Sequence, residues 1–349
     1  MSYVALIVCF ILSVIFTPII KKLAFKIGAV DQPESRKVHR KIMPRLGGLA
    51  IYASFLIGLF IFIDDSNIVL AILTGSLIIV LVGVLDDLLQ LSPKVKMAGQ
   101  VIAAVVTVYS GIRIEFITLP FGDKIEFDFF AVPITVIWII AITNAINFIV
   151  GLDGLAAGIS SIALLTISVL AILMGDSISA LLGIILLGST LGFLVFNFYP
   201  AKIFMGDTGS LFLGYMISVL AIIGLYKNVT VFSLIVPVII LGIPILDTLF
   251  AIIRRLVHKK PISSPDKFHL HHCIIRLGFS HRQTVIMIYV MSGLFSIAAV
   301  IFTRSTLWGA TIILVSLIIL VELIVEVTGL VSQNYRPILR LMESNRLKK

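Results

Sequence analysis

The run IVLAILTGSLIIVLVGVLDD, residues 68–87, has no charged side chain before its two final aspartates. A helix of about 20 apolar residues crosses the hydrocarbon core of a bilayer, so this run predicts a membrane span. Comparable runs recur along the 349 residues, of which 59% are hydrophobic and only 13% are charged. The composition excludes a soluble globular domain and predicts a single polytopic, all-α domain embedded in the membrane over residues 1–349.

The charge distribution predicts the topology. Hydropathy indicates about eleven transmembrane helices, beginning near residues 3, 47, 68, 97, 129, 155, 177, 209, 229, 283 and 305. Of the 27 Lys and Arg residues, all but Arg113, Lys124, Lys227 and Arg304 fall in alternate loops or in the tail. The positive-inside rule places those loops and the carboxyl terminus in the cytoplasm and the amino terminus outside. This asymmetry explains most of the net charge of +9, so no nucleic-acid partner is needed.

Three further features limit the architecture. Residues 113–129 alternate charged residues with Ile and Phe around Gly122-Asp123, which predicts one short extracellular β-hairpin. Cys9 and Cys273 lie far apart in this topology, so no disulfide is expected. No basic segment precedes the first apolar run and no small-residue cleavage site follows it, which indicates a retained anchor.

Carboxylates expected at the cytoplasmic face are concentrated at helix ends. They are Asp86 and Asp87 at the end of the third span, Asp153 and Asp207 at the start of the sixth and eighth, and Asp247 near the end of the ninth. Charged groups at membrane depth are unfavourable and usually functional. Any one of them could be a solvated helix end, but their recurrence beside Gly, Asn, Lys and His predicts one cytoplasmic site.

The aspartates favour chemistry on phosphates with a metal ion. Successive helical side chains diverge by about 100°, so Asp86 and Asp87 are expected to differ in role. One would approach a metal or a phosphate while the other orients Lys96. At Asp207, a carboxylate and the N–H groups of a helix start could hold Mg²⁺ against a diphosphate. An N-cap role explains the same residues and stays open.

Two interruptions of apolar spans add polar or flexible positions. Asn144 and Asn147 are one helical turn apart and can face the same cavity. The ninth predicted span is broken by Gly242 and Pro244 shortly before Asp247. A bend there would form a lateral groove through which a lipid substrate reaches the site.

Cationic residues are gathered on the same predicted face. Arg36 and Lys37, in the first cytoplasmic loop, could grip a lipid-borne phosphate or simply enforce topology. His269, His271 and His272 raise the question of zinc, but no Cys pair accompanies them and the neighbouring cations oppose a metal ion. Phosphate or sugar hydroxyls suit them better.

Taken in order, these motifs resemble those of the polyprenyl-phosphate N-acetylhexosamine-1-phosphate transferases over nearly the whole chain. The matching stretches are Arg36-Lys37-x-His39, Pro44 with Gly47-Gly48, Asp86-Asp87 with Lys94-x-Lys96, Asn144-Ala-x-Asn147, Gly151-x-Asp153-Gly154, Met205-Gly-Asp207-Thr-Gly-Ser210, Asp247 and His269-x-His271-His272. The resemblance is stronger to bacterial UDP-GlcNAc:undecaprenyl-phosphate GlcNAc-1-phosphate transferases, which initiate teichoic acid, O-antigen or related polymers, than to the peptidoglycan translocases. Val150 stands where the translocases carry an acid, and His-x-His-His replaces their consecutive histidines.

The resemblance implies a reaction and its partners. A lipid phosphate attacks the β-phosphorus of a UDP-sugar at the cytoplasmic face of the bacterial plasma membrane, giving a lipid-diphospho-sugar and UMP. The implied partners are undecaprenyl phosphate, UDP-GlcNAc and the lipid bilayer. Mg²⁺ is the implied cofactor, with Mn²⁺ as a substitute, and a homodimer is one assembly to test.

The resemblance also implies residue roles. Asp207 and Asn147 would hold the metal, while Asp86, Asp87 and Lys96 would surround the reacting phosphates. Nucleotide binding is implied for Asp153, Asn197 and Phe204, whose ring would stack on uracil. Contacts to the lipid phosphate, the diphosphate or the sugar are implied for Arg36, Lys37, His269, His271 and His272.

Elementary chemistry limits these roles and leaves alternatives open. A phosphate monoester with a second pKa of about 6 is mostly a dianion at pH 7, so Asp86 and Asp87 are expected to position groups rather than act as a base. The donor could be another UDP-HexNAc, including UDP-N-acetylmuramoyl-pentapeptide. A transporter is disfavoured because the span centres are nearly uncharged and no inverted repeat is visible. A CDP-alcohol phosphotransferase is disfavoured because its acidic DG-x-x-AR signature is absent.

Overall fold

The computed structural model describes residues 1–32, 42–118, 124–226, 234–259, 261, 266, 268–331 and 335–340. The chain divides into two compact units, Met1–Pro237 and Val238–Lys349, here called unit 1 and unit 2. The expected single functional domain over residues 1–349 stays a prediction.

Unit 1 is a helical assembly centred on its last long helix. Its α-helices are α1 Ser2–Ile27, α2 Gly47–Phe62, α3 Ser66–Leu89, α4 Pro93–Tyr109, α5 Ala131–Phe148, α6 Leu155–Leu173, α7 Ser177–Asn197 and α8 Gly206–Leu220. A 3₁₀ turn, Asp128–Phe130, leads into α5, and a π-helical segment, Ala221–Tyr226, continues α8. In the apolar segment that begins with α8, Gly206–Gly224, 89% of the residues are buried, whereas in α1 only 22% are buried. Because α2, α3, α5 and α6 all pack against α8, residues at its start are within reach of several helices.

Unit 2 contains the rest of the helices. A short helix, α9 Ile235–Ile240, crosses the division between the units and is followed by α10 Gly242–Val257, α11 Leu270–Arg276, α12 His281–Thr303 and α13 Leu307–Thr328. Helix α12 packs against α10, α11 and α13. The expected break in the ninth predicted span is present at Leu241, between α9 and α10. The lateral groove for lipid stays a prediction.

The structure confirms an all-α, multi-pass membrane protein. Among the described residues, eight helices are long and apolar enough to cross a bilayer. They are Ser2–Ile27, Asn67–Leu89, Asp128–Phe148, Leu155–Leu173, Ser177–Asn197, Gly206–Gly224, His281–Thr303 and Leu307–Thr328. The spans predicted near residues 47 and 97 correspond to α2 and α4, which have 16 and 17 residues. The total of about eleven spans and the inside–outside orientation stay predictions.

Two short antiparallel strand pairs accompany the helices. The predicted hairpin is confirmed by the pairing of β3 Phe116–Thr118 with β4 Lys124–Glu126, although its tip at Gly122-Asp123 lies outside the described residues. Its extracellular location stays a prediction. The pairing of β1 Val30–Asp31 with β2 Met43–Pro44, which we did not predict, brings together the two ends of the first predicted cytoplasmic loop.

The connection between α3 and α4 turns the chain back on itself. At the opposite end of α3, the Asp65 side chain caps the start of the helix by accepting hydrogen bonds from the N–H groups of Asn67 and Ile68. The helix ends at Leu89, the following residue Gln90 adopts a left-handed conformation with φ 51°, and only residues 90–92 separate α3 from α4. Pro93 opens α4 in the first-turn position that proline favours. The last turn of α3 and the first turn of α4 are therefore neighbours.

Candidate active site

Asp86 and Asp87 occupy the last turn of α3, where the helix dipole disfavours negative charge. Both are buried, and they have different partners, as their angular divergence predicts. Asp87 accepts hydrogen bonds from the Asp207 N–H at 2.9 Å and from the Thr208 N–H and hydroxyl at 3.0 and 2.7 Å. Asp87 therefore holds the first turn of α8, whose unpaired N–H groups stabilise the carboxylate in return.

Asp86 faces a cation that it shares with Asp207. Lys96 Nζ donates to Asp86 Oδ2 at 3.1 Å and also to Asp207 Oδ2. Because Lys96 lies in the first turn of α4, the short connection after α3 brings it back to the carboxylates. Two carboxylates from different helices thus converge on one centre of positive charge.

Arg45 is a second cation at these carboxylates, and we assigned it no role from the sequence. Its guanidinium lies 3.3 Å from Asp87 Oδ1 and 3.8 Å from Asp207 Oδ1. Asp31 of β1 is a further partner at 3.8 Å. The signal that could have found this arginine is its position just before the paired glycines that open α2.

Backbone contacts fix this arginine beside α8. The N–H groups of Gly47 and Gly48 donate to the carbonyls of Phe204 and Met205 at 3.0 and 2.8 Å. A Cβ atom on Gly48 would overlap the backbone of Gly209. The starts of α2 and α8 therefore approach more closely than larger residues would allow.

The two predicted amides have separate partners. Asn147 Oδ1 accepts the Ser210 hydroxyl at 3.0 Å, and its Nδ2 lies 3.5 Å from Asp207 Oδ2. Asn144 instead donates to Gln100 Oε1 of α4 at 2.5 Å. Asn147 thus contacts Asp207 and Ser210 of α8, while Asn144 links α5 to α4.

Two of the predicted nucleotide-binding residues hold the loop between α7 and α8. Asp153 Oδ2 accepts the Ala201 N–H at 2.9 Å, and Asn197 Nδ2 donates to Ile203 O at 2.9 Å. Phe204, the third predicted residue, is half-buried at the end of this loop. These contacts show that Asp153 and Asn197 hold the backbone of the loop that leads into α8. Contacts of these residues with a nucleotide stay predictions.

The carboxylate cluster, defined as Asp86, Asp87, Asp207, Lys96 and Arg45, has more negative than positive charge. Three carboxylates face two cations, which leaves a formal charge of −1. In the part of the chain that the structure describes, no group of three or more His, Cys, Asp or Glu side chains is arranged to hold a metal ion. The cluster therefore offers carboxylates and cations together, a combination suited to binding phosphates alongside a further cation.

The three predicted histidines lie together in unit 2. His269 Nδ1 is 2.8 Å from Asp247 Oδ2, and the other oxygen of Asp247 accepts the Leu270 N–H at 2.7 Å. The rings of His269 and His271 are stacked with centroids 5.9 Å apart, and those of His271 and His272 are 4.2 Å apart. Three imidazoles and one buried carboxylate form what we call the histidine cluster.

The second and third histidines are neutral near pH 7. His271 is buried, and within the described structure neither of its ring nitrogens has a hydrogen-bond partner. Burial, followed by the charge of His272, lowers the pKa of His271 to about 3. Burial and then the charge of His269 also lower the pKa of His272. These two rings are therefore not positively charged phosphate ligands at neutral pH.

Arg36 and Lys37 are the two predicted contacts to the lipid phosphate from the first loop. Arg36 and Lys37 lie outside the described residues, between the two strands that close the first loop. Their grip on a lipid phosphate stays a prediction. Among the described residues, Lys96 and Arg45 supply the cations of the carboxylate cluster.

Comparison with known proteins identifies the family. Residues 69–225 match the model of a family described as "Glycosyl transferase family 4". A protein of Bacillus subtilis (strain 168) described as "Probable undecaprenyl-phosphate N-acetylglucosaminyl 1-phosphate transferase" is 51% identical over 336 residues, which cover 96% of this chain and 94% of that protein. The chain belongs to glycosyl transferase family 4. The family predicted from the order of the motifs is confirmed.

Other relatives of the chain differ in the sugar that their names specify. A Thermotoga maritima protein described as "Undecaprenyl-phosphate alpha-N-acetylglucosaminyl 1-phosphate transferase" is 31% identical, over 82% of this chain and 86% of its own length. A Borrelia hermsii protein described as "Phospho-N-acetylmuramoyl-pentapeptide-transferase" is 32% identical, over 84% and 93%. The matched region 69–225 contains every residue of the carboxylate cluster except Arg45 and does not reach the histidine cluster.

Proposed function

We propose that this membrane protein transfers GlcNAc-1-phosphate from UDP-GlcNAc to undecaprenyl phosphate, forming undecaprenyl-diphospho-GlcNAc and releasing UMP. The reaction takes place at the cytoplasmic face of the bacterial plasma membrane and starts a cell-envelope glycopolymer such as teichoic acid. The Bacillus subtilis relative supports the substrates, because its identity of 51% extends over nearly the whole of both chains. The predicted cytoplasmic loops support the face.

The observation that carries the proposal is the carboxylate cluster. Its residues come from α3, α4, α8 and the segment before α2, and they meet within hydrogen-bonding or ion-pairing distance. The reaction brings a phosphate dianion onto a diphosphate that carries about two negative charges. Mutual repulsion is therefore the main obstacle. Lys96 and Arg45 place permanent positive charge where those anions would meet, which lowers the repulsion in the transition state.

The donor set fits Mg²⁺. This ion is usually bound by one or two carboxylates and keeps water and substrate phosphates as its other ligands. Asp86 and Asp207 converge on a single cationic centre, so these two would hold Mg²⁺, or Mn²⁺ in its place. Bound there, the ion would neutralise charge on the phosphates. Asn147 now turns its amide nitrogen towards Asp207, and reversing that amide would present its oxygen instead.

The contacts of Asp87 favour positioning over proton transfer. It accepts three hydrogen bonds from the first turn of α8 and pairs with Arg45, so both of its oxygens are engaged. A lipid phosphate that is already a dianion near pH 7 has little need of a base. Asp87 therefore acts by holding Asp207 and the start of α8 in place.

The remaining predicted roles complete the proposal. Asp153, Asn197 and Phe204 would contact the nucleoside, since they lie on or beside the loop that leads into α8. Arg36 and Lys37 would contact the lipid phosphate. A homodimer stays a prediction, for which the mass of the protein–detergent complex, measured by light scattering, is the test.

The nucleotide product is the decisive measurement. Purified full-length protein is incubated in detergent with undecaprenyl phosphate, Mg²⁺ and UDP-GlcNAc, and the released nucleotide is identified by chromatography. We expect UMP in equal amount to undecaprenyl-diphospho-GlcNAc. Release of UDP would instead mean ordinary glycosyl transfer. Absence of any released nucleotide, with every UDP-HexNAc tried, would contradict the proposal and favour a transporter.

A second candidate donor is another UDP-HexNAc, including UDP-N-acetylmuramoyl-pentapeptide. The Borrelia hermsii relative, whose name specifies that sugar peptide, supports this alternative at 32% identity. Both donors can be supplied together at equal concentration, and the lipid products separated by mass spectrometry. We expect the GlcNAc product to dominate. A dominant muramoyl-pentapeptide product would change the donor while keeping the reaction.

A further inference from the structure

Asp247 is a buried carboxylate for which the proposed reaction has so far supplied no role. It lies on α10, and only 2% of the residue is exposed. Its Oδ1 accepts the Leu270 N–H at 2.7 Å, and its Oδ2 lies 2.8 Å from His269 Nδ1. An ionised carboxylate can only accept hydrogen bonds, so Nδ1 of His269 must carry the proton of this pair.

This contact determines the chemistry of the other ring nitrogen. A neutral imidazole carries one N–H group, and the form protonated at Nδ1 leaves Nε2 as a hydrogen-bond acceptor. No hydrogen bond from the described residues reaches Nε2 of His269, and 10% of its side chain is exposed. Nε2 is therefore the position on this ring that remains for a ligand.

The neighbouring aspartate in unit 2 has a different partner. Asp266 accepts the Phe268 N–H at 3.0 Å and pairs with Arg254 at 2.7 Å. Burial alone would raise the pKa of Asp266, but the hydrogen bond and charge of Arg254 outweigh it and lower the pKa. Asp247 pairs with no Lys or Arg of the described chain. Its side-chain partner is the imidazole of His269, so Asp266 is a suitable control for it.

We propose that Asp247 is a positioning residue that fixes His269 in the form protonated at Nδ1, so that Nε2 accepts a hydrogen bond from the sugar of the donor. Sugar hydroxyl and acetamido N–H groups can donate to such a lone pair, whereas a deprotonated phosphate oxygen can only accept. The identity of the ligand rests on the proposed function, but the ring form does not. The family resemblance left both the diphosphate and the sugar as ligands of His269. This proposal selects the sugar.

The substitution Asp247→Asn reverses this arrangement with little change in volume. An amide has one oxygen, and the Leu270 N–H, whose acceptor among the described residues is Asp247, would take it. The NH₂ group would then face His269 Nδ1, which becomes an acceptor. The ring proton moves to Nε2, so the variant presents a donor where the wild type presents an acceptor.

Nuclear magnetic resonance tests the ring form without substrate. Full-length protein labelled with ¹⁵N-histidine is studied in detergent at about pH 8.5, well above the ordinary imidazole pKa of about 6.5. His269→Ala identifies the signals of His269. We expect the Nδ1–H form in the wild type and in the control Asp266→Asn, and the Nε2–H form in Asp247→Asn. An Nε2–H or doubly protonated ring in the wild type, or an unchanged ring in Asp247→Asn, overturns the proposal.

Kinetics tests whether Asp247 acts through His269. We expect Asp247→Asn to lower kcat on the order of 10²-fold, and to cause no further loss in a His269→Ala background, because the ring it orients is gone. If Asp247→Asn lowers kcat by the same factor in the His269→Ala background as in the wild type, the proposal is overturned. Thermal unfolding checks that each variant retains its fold. If no donor yields UMP, the proposed function fails, while the resonance experiment still decides the ring form.

Discussion

The carboxylate cluster and the histidine cluster both contain a buried aspartate that binds the start of another helix. Asp87 accepts the first N–H groups of α8, and Asp247 accepts the first N–H of α11. Their charged partners differ, because Arg45 pairs with Asp87 whereas the ring of His269 pairs with Asp247. Positive charge is therefore permanent in the carboxylate cluster, while in the histidine cluster it depends on protonation.

This difference teaches what each region can recognise. Lys96 and Arg45 remain charged throughout the physiological pH range, so the carboxylate cluster suits substrates that are always anionic. His271 and His272 are neutral near pH 7 because burial lowers their pKa values. The histidine cluster therefore suits hydrogen bonds to uncharged groups. Each prediction below removes one element of this contrast.

The largest effect is expected for Asp207→Asn, which removes the carboxylate common to both cations of the carboxylate cluster. Lys96 and Arg45 would lose a shared partner, and the proposed Mg²⁺ site would lose a ligand. We expect UMP release to fall at least about 10³-fold with normal expression and monodispersity. The rate of UMP release under saturating donor is the measurement.

A matched control for Asp207→Asn is Asp65→Asn. Asp65 also lies at a helix start, where its side chain accepts the N–H groups of Asn67 and Ile68. Asparagine is an equally good N-cap, so the helix should be unaffected. We expect the control to retain activity within about twofold, the range of ordinary surface changes. Retained activity in Asp207→Asn would exclude its proposed metal role.

A smaller loss is expected for Asp87→Asn, which weakens the attachment of α8 without removing a ligand. Two backbone donors and one hydroxyl of α8 would meet an amide that offers one oxygen. We expect kcat to fall about 10²-fold, by the same factor at every pH from about 5 to about 9, and Tm to be lower. Thr208→Val, which removes one of the three bonds, should give a smaller loss of the same kind.

A pH–rate profile separates this positioning role from a base. A base would give a wild-type rate that falls below about pH 6 and a variant rate that does not. A constant ratio of the two rates across the range supports positioning. A ratio that changes with pH would assign proton transfer to Asp87.

Lys96→Met should strengthen metal binding while it weakens turnover. The ammonium of Lys96 contacts the same oxygens of Asp86 and Asp207 that would bind the ion, so it competes with any divalent cation. Removing one positive charge at contact distance should raise the affinity for Mn²⁺ at least about tenfold. Electron paramagnetic resonance of free Mn²⁺, without substrate, measures this affinity. Lys94→Met, an exposed lysine of the same helix turn, should leave it unchanged. Weaker Mn²⁺ binding in Lys96→Met would contradict a competing role.

Much of the fold and of the carboxylate cluster could be predicted because it is encoded locally. Long apolar runs specify membrane helices through their length alone, and polar residues interrupt them at the helix ends. The pairing of Asp86 with Lys96 depends on a three-residue connection visible in the sequence. Predicting that Asn147 lies beside Asp207 required the family resemblance, since 60 positions separate them.

The remaining features depend on tertiary packing. Arg45 reaches Asp87 only because the glycine-rich starts of α2 and α8 approach closely, and no periodicity in residues 42–48 indicates that approach. The pairing of Asp247 with His269 joins positions 22 apart across a break in helical structure. Hydropathy also treats α2 as a full span, although this helix has only 16 residues. Apolar length predicts that a segment enters the membrane but not how far its helix extends.

The smallest effect is expected for the pH dependence of stability in His271→Leu. The pKa of His271 is lowered from 6.5 to about 3 in the folded protein, so between these values the unfolded chain binds a proton that the folded chain does not. This histidine therefore destabilises the fold as the pH drops below 6.5, by about 2 kcal/mol at pH 5. Leucine removes that proton site, so the fall in Tm between about pH 7.5 and pH 5 should be a few degrees smaller in the variant than in the wild type. His258→Leu, at an exposed histidine, is the control. Equal falls in Tm for His271→Leu and the wild type would mean that the imidazole of His271 is not buried in its uncharged form. The histidine cluster would then not differ from the carboxylate cluster by its neutral rings.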